Sequence, residues 1–129
     1  MAVAVAALCV LVPIASAQAT SPRATLLQQA TLLKQARWPA MYRTFTAQFR
    51  RSCPYATFVA RQRATRRVLG TSFELRAIRV RLETPTRAVV AYSFVRNGQT
   101  LGRVTLAHRD VYSRVGGRWY DELDRVSSC

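Results

Sequence analysis

Phe73-Glu74-Leu75-Arg76-Ala77-Ile78-Arg79-Val80-Arg81-Leu82-Glu83 is the stretch whose reading decides the fold. From Ile78 onward, Ile78, Val80 and Leu82 alternate with Arg79, Arg81 and Glu83, the period of a half-buried strand. Before Ile78 the apolar members are Phe73, Leu75 and Ala77, so the parity is opposite. One extra residue near Ala77-Ile78 reconciles the two halves, which predicts a β-bulge and a bent sheet. Thr84-Pro85-Thr86 then reads as a turn, because proline pre-sets φ and donates nothing to a ladder. Arg87 to Arg96 reads as a second strand with Val90, Tyr92 and Phe94 on one face and Val89, Ala91 and Val95 on the other. Apolar residues on both faces suit a central strand. Asn97-Gly98 is a hairpin signal, since both residues tolerate positive φ. Leu101 to Val115 is the third strand, with Val104, Leu106, His108, Asp110 and Tyr112 sharing a face. Gly116-Gly117 turns the chain into a last strand, Trp119 to Asp124.

Upstream, the period changes to that of helices. Leu26, Leu27, Ala30 and Leu33 place a helix over 25–36 after a polar lead-in at 20–24. Pro39 either kinks that helix or sits in the first turn of another. Tyr42, Phe45 and Phe49 continue the helical spacing as far as Cys53-Pro54. Pro54 then opens a helix whose inner face is Tyr55, Phe58, Val59 and Gln62, and Gly70 stops it. Helices followed by four antiparallel strands define an α+β fold: N-terminal helices packed on a curved, bulged, four-stranded antiparallel sheet, cone-like and cystatin-like.

Residues 1–17 read as a removable leader. Ala2 to Val12 is a short apolar run, Pro13 breaks it, and Ala15-Ser16-Ala17 offers a small-residue cleavage site. The run is shorter than the roughly 20 residues of a membrane span. The expectation is export, to a secreted or periplasmic location, with residues 18–129 as one α+β domain. An uncleaved anchor is the alternative.

Twenty Lys and Arg against six Asp and Glu give a formal charge of +14. No carboxylate precedes Glu74, whereas half of the basic residues do. The cationic half suits an acidic surface such as envelope polymer or lipid, or an acidic protein partner. The alternative is a plain solvated surface, because every base but Lys34 is arginine and points to coding bias. Nucleic acid is disfavoured: there is no zinc pattern, helix-turn-helix turn or aromatic ribonucleoprotein motif. Without the leader two cysteines remain, Cys53 and Cys129. An even count in an oxidising compartment favours a bridge between them; two free thiols is the alternative. Two cysteines and one histidine do not make a structural zinc site, so no metal or cofactor is expected.

Trp38, Tyr42 and Phe45 on an N-terminal helix, Phe58-Val59 on a second, the bulge at Ala77-Ile78, the Asn97-Gly98 hairpin and Gly116-Gly117-Arg118-Trp119 together resemble the nuclear transport factor 2-like superfamily. That superfamily also holds ketosteroid isomerase and SnoaL-type cyclases. The resemblance implies a sheet wrapped around a long helix with a pocket between them. The fold hosts enzymes, ligand binders and protein-binding modules, so it leaves the function open. Trp38, Tyr42, Tyr92, Tyr112 and Trp119 are the candidate ligand-binding residues, an aromatic wall for a small apolar ligand; an aromatic core is the alternative. His108 and Asp110, two apart on a strand, point the same way and form a candidate acid–base pair for a lyase or isomerase. Against catalysis, the helical half contains no Asp, Glu or His. The reading is therefore an exported, non-catalytic binding domain for an apolar ligand or a protein partner. A second copy of the chain is one such partner.

Overall fold

A computed structural model describes residues 20–96, 99–100, 109–122 and 129. Four helices, α1 (Pro22–Lys34), α2 (Trp38–Tyr42), α3 (Ala47–Ser52) and α4 (Tyr55–Leu69), precede the strands β1 (Phe73–Thr84), β2 (Arg87–Arg96), β3 (Gln99–Thr100), β4 (Arg109–Val115) and β5 (Arg118–Asp121). The sheet runs β1-β2-β4-β5, antiparallel throughout. β3 pairs with β2 on the edge that β4 also uses. The helices pack on the inner face of this open sheet, the α+β architecture expected from the sequence.

α1 begins at Pro22, three residues before the start expected at Thr25. The Ser21 side chain accepts from the Ala24 amide at 3.1 Å, and Pro22 stands in the first turn, where its missing N–H costs nothing. The lead-in read as irregular is thus the cap. At the other end, Ala36 N–H donates to Leu33 O and Arg37 N–H to Leu32 O, which closes a Schellman motif. Ala36 sits at its left-handed position, φ 54°. Pro39 lies in the first turn of α2.

The helix expected to run on from Ala40 through Phe49 is broken. Thr44 and Phe45 leave α2 and form one parallel bridge with β5: Asp121 N–H donates to Thr44 O and Thr46 N–H donates to Asp121 O, both 2.9 Å. Thr46 then caps α3 through its side chain. A short polar residue that satisfies the first free amide of a new helix competes well with helix continuation. Pro54 is the N-cap of α4 rather than its first residue.

The inferred bulge is present. Ala77 and Ile78 oppose the single residue Tyr92, because the register passes from Arg76↔Ser93 to Arg79↔Ala91. Ala77 takes φ 54°, the left-handed conformation that lets one strand carry the extra residue. Phe73 and Leu75 before the bulge, and Val80 and Leu82 after it, therefore share the face of Phe94, Val90 and Ala88. Burial stops short of the hairpin end, however. Val80 is 40% and Leu82 62% exposed. They lie on the sheet edge, so their periodicity predicted a face correctly but not its cover. The Asn97-Gly98 turn and the 101–108 part of the third strand lie outside the described residues. β2 is central as expected.

Both left-handed alanines make a direct prediction. Glycine reaches φ near +55° without the Cβ clash. Ala36→Gly and Ala77→Gly are each expected to raise the unfolding free energy by about 0.5–1 kcal/mol, and Ala77→Val to lower it by about 1–2 kcal/mol. Urea denaturation of the three variants checks this; a destabilised Ala77→Gly contradicts it.

Part of the arginine surplus is structural. Nε and Nη2 of Arg66 donate to Lys34 O at 3.2 and 3.0 Å, and Arg96 donates to Val68 O. Each places a cation at a helix C-terminus, where carbonyls lack partners and the dipole favours positive charge.

Candidate functional site

A cavity of about 340 Å³ lies between the helices and the inner sheet face. α1 contributes Leu26, Gln29, Ala30 and Leu33. Met41 comes from α2, Phe49 from α3, and Phe58, Arg61, Gln62 and Thr65 from α4. The sheet adds Leu75, Tyr92, Phe94, Arg109, Asp110 and Asp121; Phe45, Cys53 and Cys129 complete the wall. Phe45 and Phe58 meet edge to face at 5.2 Å, and Phe45 and Phe49 stack tilted at 4.5 Å. Cys53 and Cys129 form the expected disulfide, with Cα atoms 5.3 Å apart. It pins the last residue of the chain to the end of α3, beside the cavity.

The candidate aromatic residues divide. Tyr92 lines the cavity. Trp38 and Trp119 are core residues outside its lining. Tyr42 sits behind the aromatic wall, where its hydroxyl donates to Arg50 O at 2.8 Å and Cys53 O at 2.6 Å, joining α2 to α3. Tyr112 is fully buried and donates to Gln29 Oε1 at 2.9 Å. His108 lies outside the described residues, so its pairing with Asp110 has no geometry here. Asp110 does face inward, 6% exposed, and accepts from the Tyr92 hydroxyl at 2.7 Å.

Gln29 is the polar hub that the sequence reading missed. Its Nε2 donates to Thr44 Oγ1 at 2.9 Å and to Asp121 Oδ2 at 3.2 Å, while its Oε1 accepts from Tyr112. One amide thereby joins α1, the α2–α3 connection, β4 and β5. Nothing but its helical spacing from Leu26 and Leu33 marks Gln29 as inward in the sequence. Asp121 is 2% exposed. Glu122 is half-buried and accepts from Ser113. Among the described residues, no buried side-chain polar atom lacks a hydrogen-bond partner. No group of them could hold a metal ion.

The buried aspartates reshape the two buried phenols. Burial first, then the charge of Asp110 and its hydrogen bond, hold the Tyr92 hydroxyl well above the ordinary 10.0. Burial also raises Tyr112, followed by the charges of Asp121 and Asp110. Below pH 10 both phenols are protonated in either state. As pH rises past 10 the unfolded chain loses these protons and the folded chain keeps them, so stability falls with rising pH. Alkaline titration is therefore expected to show tyrosinate absorbance from these two residues appearing together with loss of far-ultraviolet dichroism. Ionisation of all five tyrosines with the fold intact contradicts the arrangement.

No protein-family model matches the chain, and no curated protein matches it significantly. The geometry of the cavity is what bears on function.

Proposed function

We propose that this is an exported, non-catalytic binding domain of the nuclear transport factor 2-like layout, whose cavity takes a compact, largely apolar ligand. The observation that carries this reading is the cavity itself. At about 340 Å³ it falls in the range of small-molecule sites, and most of its wall is aliphatic or aromatic with a few polar groups. Those polar groups favour holding over proton transfer, since Asp110 and Asp121 are engaged by Tyr92 and Gln29. Export rests on the leader-like residues 1–17 and is supported by the disulfide, a bond that persists in oxidising compartments. Among the described residues no helix is long and apolar enough to cross a membrane.

Displacement of an environment-sensitive apolar dye, with native mass spectrometry of the purified protein, tests the reading. Bound apolar molecules are expected, and Ala30→Phe, which fills the cavity from α1, is expected to weaken them by about tenfold or more. Unchanged binding in a folded Ala30→Phe protein overturns it. A second reading, a small lyase or isomerase, is favoured by one fact: Asp110 lines the cavity in contact with a phenol. Turnover of an enolisable or dehydratable substrate, abolished by Asp110→Asn, establishes it.

A further inference from the structure

The outer face of the sheet carries a pattern that the cavity does not use. Asp110 and Tyr112 point inward from β4, so Arg109 and Val111 point outward. On β2, Ala88, Val90 and Tyr92 are buried inward, which leaves Val89 and Ala91 on the outer side. The register aligns two rows across three strands: Arg79–Ala91–Arg109 and, next to it, Arg81–Val89–Val111. The helices pack on the opposite face, and Val89, Ala91 and Val111 stay half-buried. Arg76, Arg81 and Arg87 are each paired with Glu74 or Glu83. Among the described residues, Arg79 and Arg109 have no carboxylate within ion-pair distance, and both are exposed.

We infer that this face docks an acidic segment of a partner protein, with a carboxylate held between Arg79 and Arg109 and apolar side chains laid on Val89 and Val111. Such docking is independent of whether the cavity holds a ligand. Arg79 and Arg109 stand two strand spacings apart, roughly 10 Å between Cα atoms, and the residue between them is alanine. A small residue flanked by two long ones makes a trough with cationic walls. Guanidinium planes match carboxylate oxygens and form charge-assisted hydrogen bonds with them. The half-buried valines alongside supply an apolar centre bordered by arginine, the anatomy of a protein interface. The two rows hold no aromatic side chain on which a nucleic-acid base stacks. A second copy docked through the same patch sets this arginine-rich face against itself, so like charges oppose that pairing. The formal charge of +14 draws an acidic partner in from a distance.

Fluorescence anisotropy of a labelled peptide of alternating glutamate and valine, titrated with the oxidised full chain, tests the inference. Binding is expected, at least about tenfold tighter than for the same peptide with glutamine in place of glutamate, and weakening as salt rises. Arg79→Gln/Arg109→Gln is expected to weaken it by about tenfold or more, and Ala91→Glu, which sets the chain's own carboxylate between the two arginines, to do the same. Arg63→Gln/Arg67→Gln removes as much charge from exposed positions of α4 and is expected to change binding by less than about twofold. Equal losses in the two arginine pairs overturn the inference, because general charge then does the binding. No binding of the glutamate peptide overturns it as well. So does tighter binding, lost in Arg79→Gln/Arg109→Gln, to phosphatidylglycerol vesicles or to a single-stranded oligonucleotide, which gives the face to a different polyanion. A wild-type dimer in sedimentation that Arg79→Gln/Arg109→Gln dissociates gives it to a second copy and overturns the inference too.

Discussion

Replacing Cys53 and Cys129 together with alanine is expected to lower the unfolding free energy by about 4–5 kcal/mol. The bridge spans 76 residues of sequence. It therefore removes from the unfolded ensemble nearly every conformation in which the chain end wanders from α3, and this entropic effect grows with loop length. Cys53 is fully buried and both cysteines border the cavity, so the folded state also keeps a packed contact there. By contrast, the ion pairs Arg76–Glu74, Arg81–Glu83 and Arg87–Glu83 join exposed or barely half-buried side chains, and each contributes about 1 kcal/mol or less. Denaturant unfolding of the oxidised protein, the same protein with reductant, and the double-alanine variant measures the difference. A loss below about 1 kcal/mol would show that the bridge does not constrain the unfolded chain.

Gln29→Leu is the second large effect, expected at about 3–5 kcal/mol although leucine has nearly the same volume and suits a helix. Gln29 is 5% exposed and takes part in three side-chain hydrogen bonds. Leucine takes one acceptor from the fully buried Tyr112 hydroxyl and one donor from the buried Asp121 carboxylate. Buried polar groups that lose a partner cost more than the bond was worth, and charged ones most. The cause is separable. Adding Tyr112→Phe to Gln29→Leu removes the hydroxyl that has lost this partner and is expected to return about 1–2 kcal/mol, a coupling that a double-mutant cycle reads directly. Additive losses would place the cost in packing instead of the network.

The strands and their faces were legible because local rules agree with the tertiary outcome. The parity switch at Ala77-Ile78 has few explanations besides a bulge, since a strand has a two-residue period and one buried face. The disulfide was legible from an even count and a leader-like start. The break between α2 and α3 was not. Tyr42, Phe45 and Phe49 keep helical spacing while Phe45 pairs with Asp121, a contact 76 residues away in sequence that no local window contains. For the same reason four of five candidate aromatics, though mostly buried, lie outside the cavity lining. Aromatic character says that a residue seeks burial, and core and cavity wall satisfy that equally.

On its own, the amino-acid sequence determined the α+β class, the bulge, the central place of β2 and the excess of positive charge. Each follows from a period, a turn residue or a sum, quantities that need no knowledge of distant neighbours. Only the tertiary structure decided that Gln29 joins four parts of the chain. It also decided that Asp110 and Asp121 are buried beside the cavity, and that Val80 and Leu82 stay uncovered. Depth and pairing are relations between segments far apart in the chain, and they exist only once the helices have settled on the sheet.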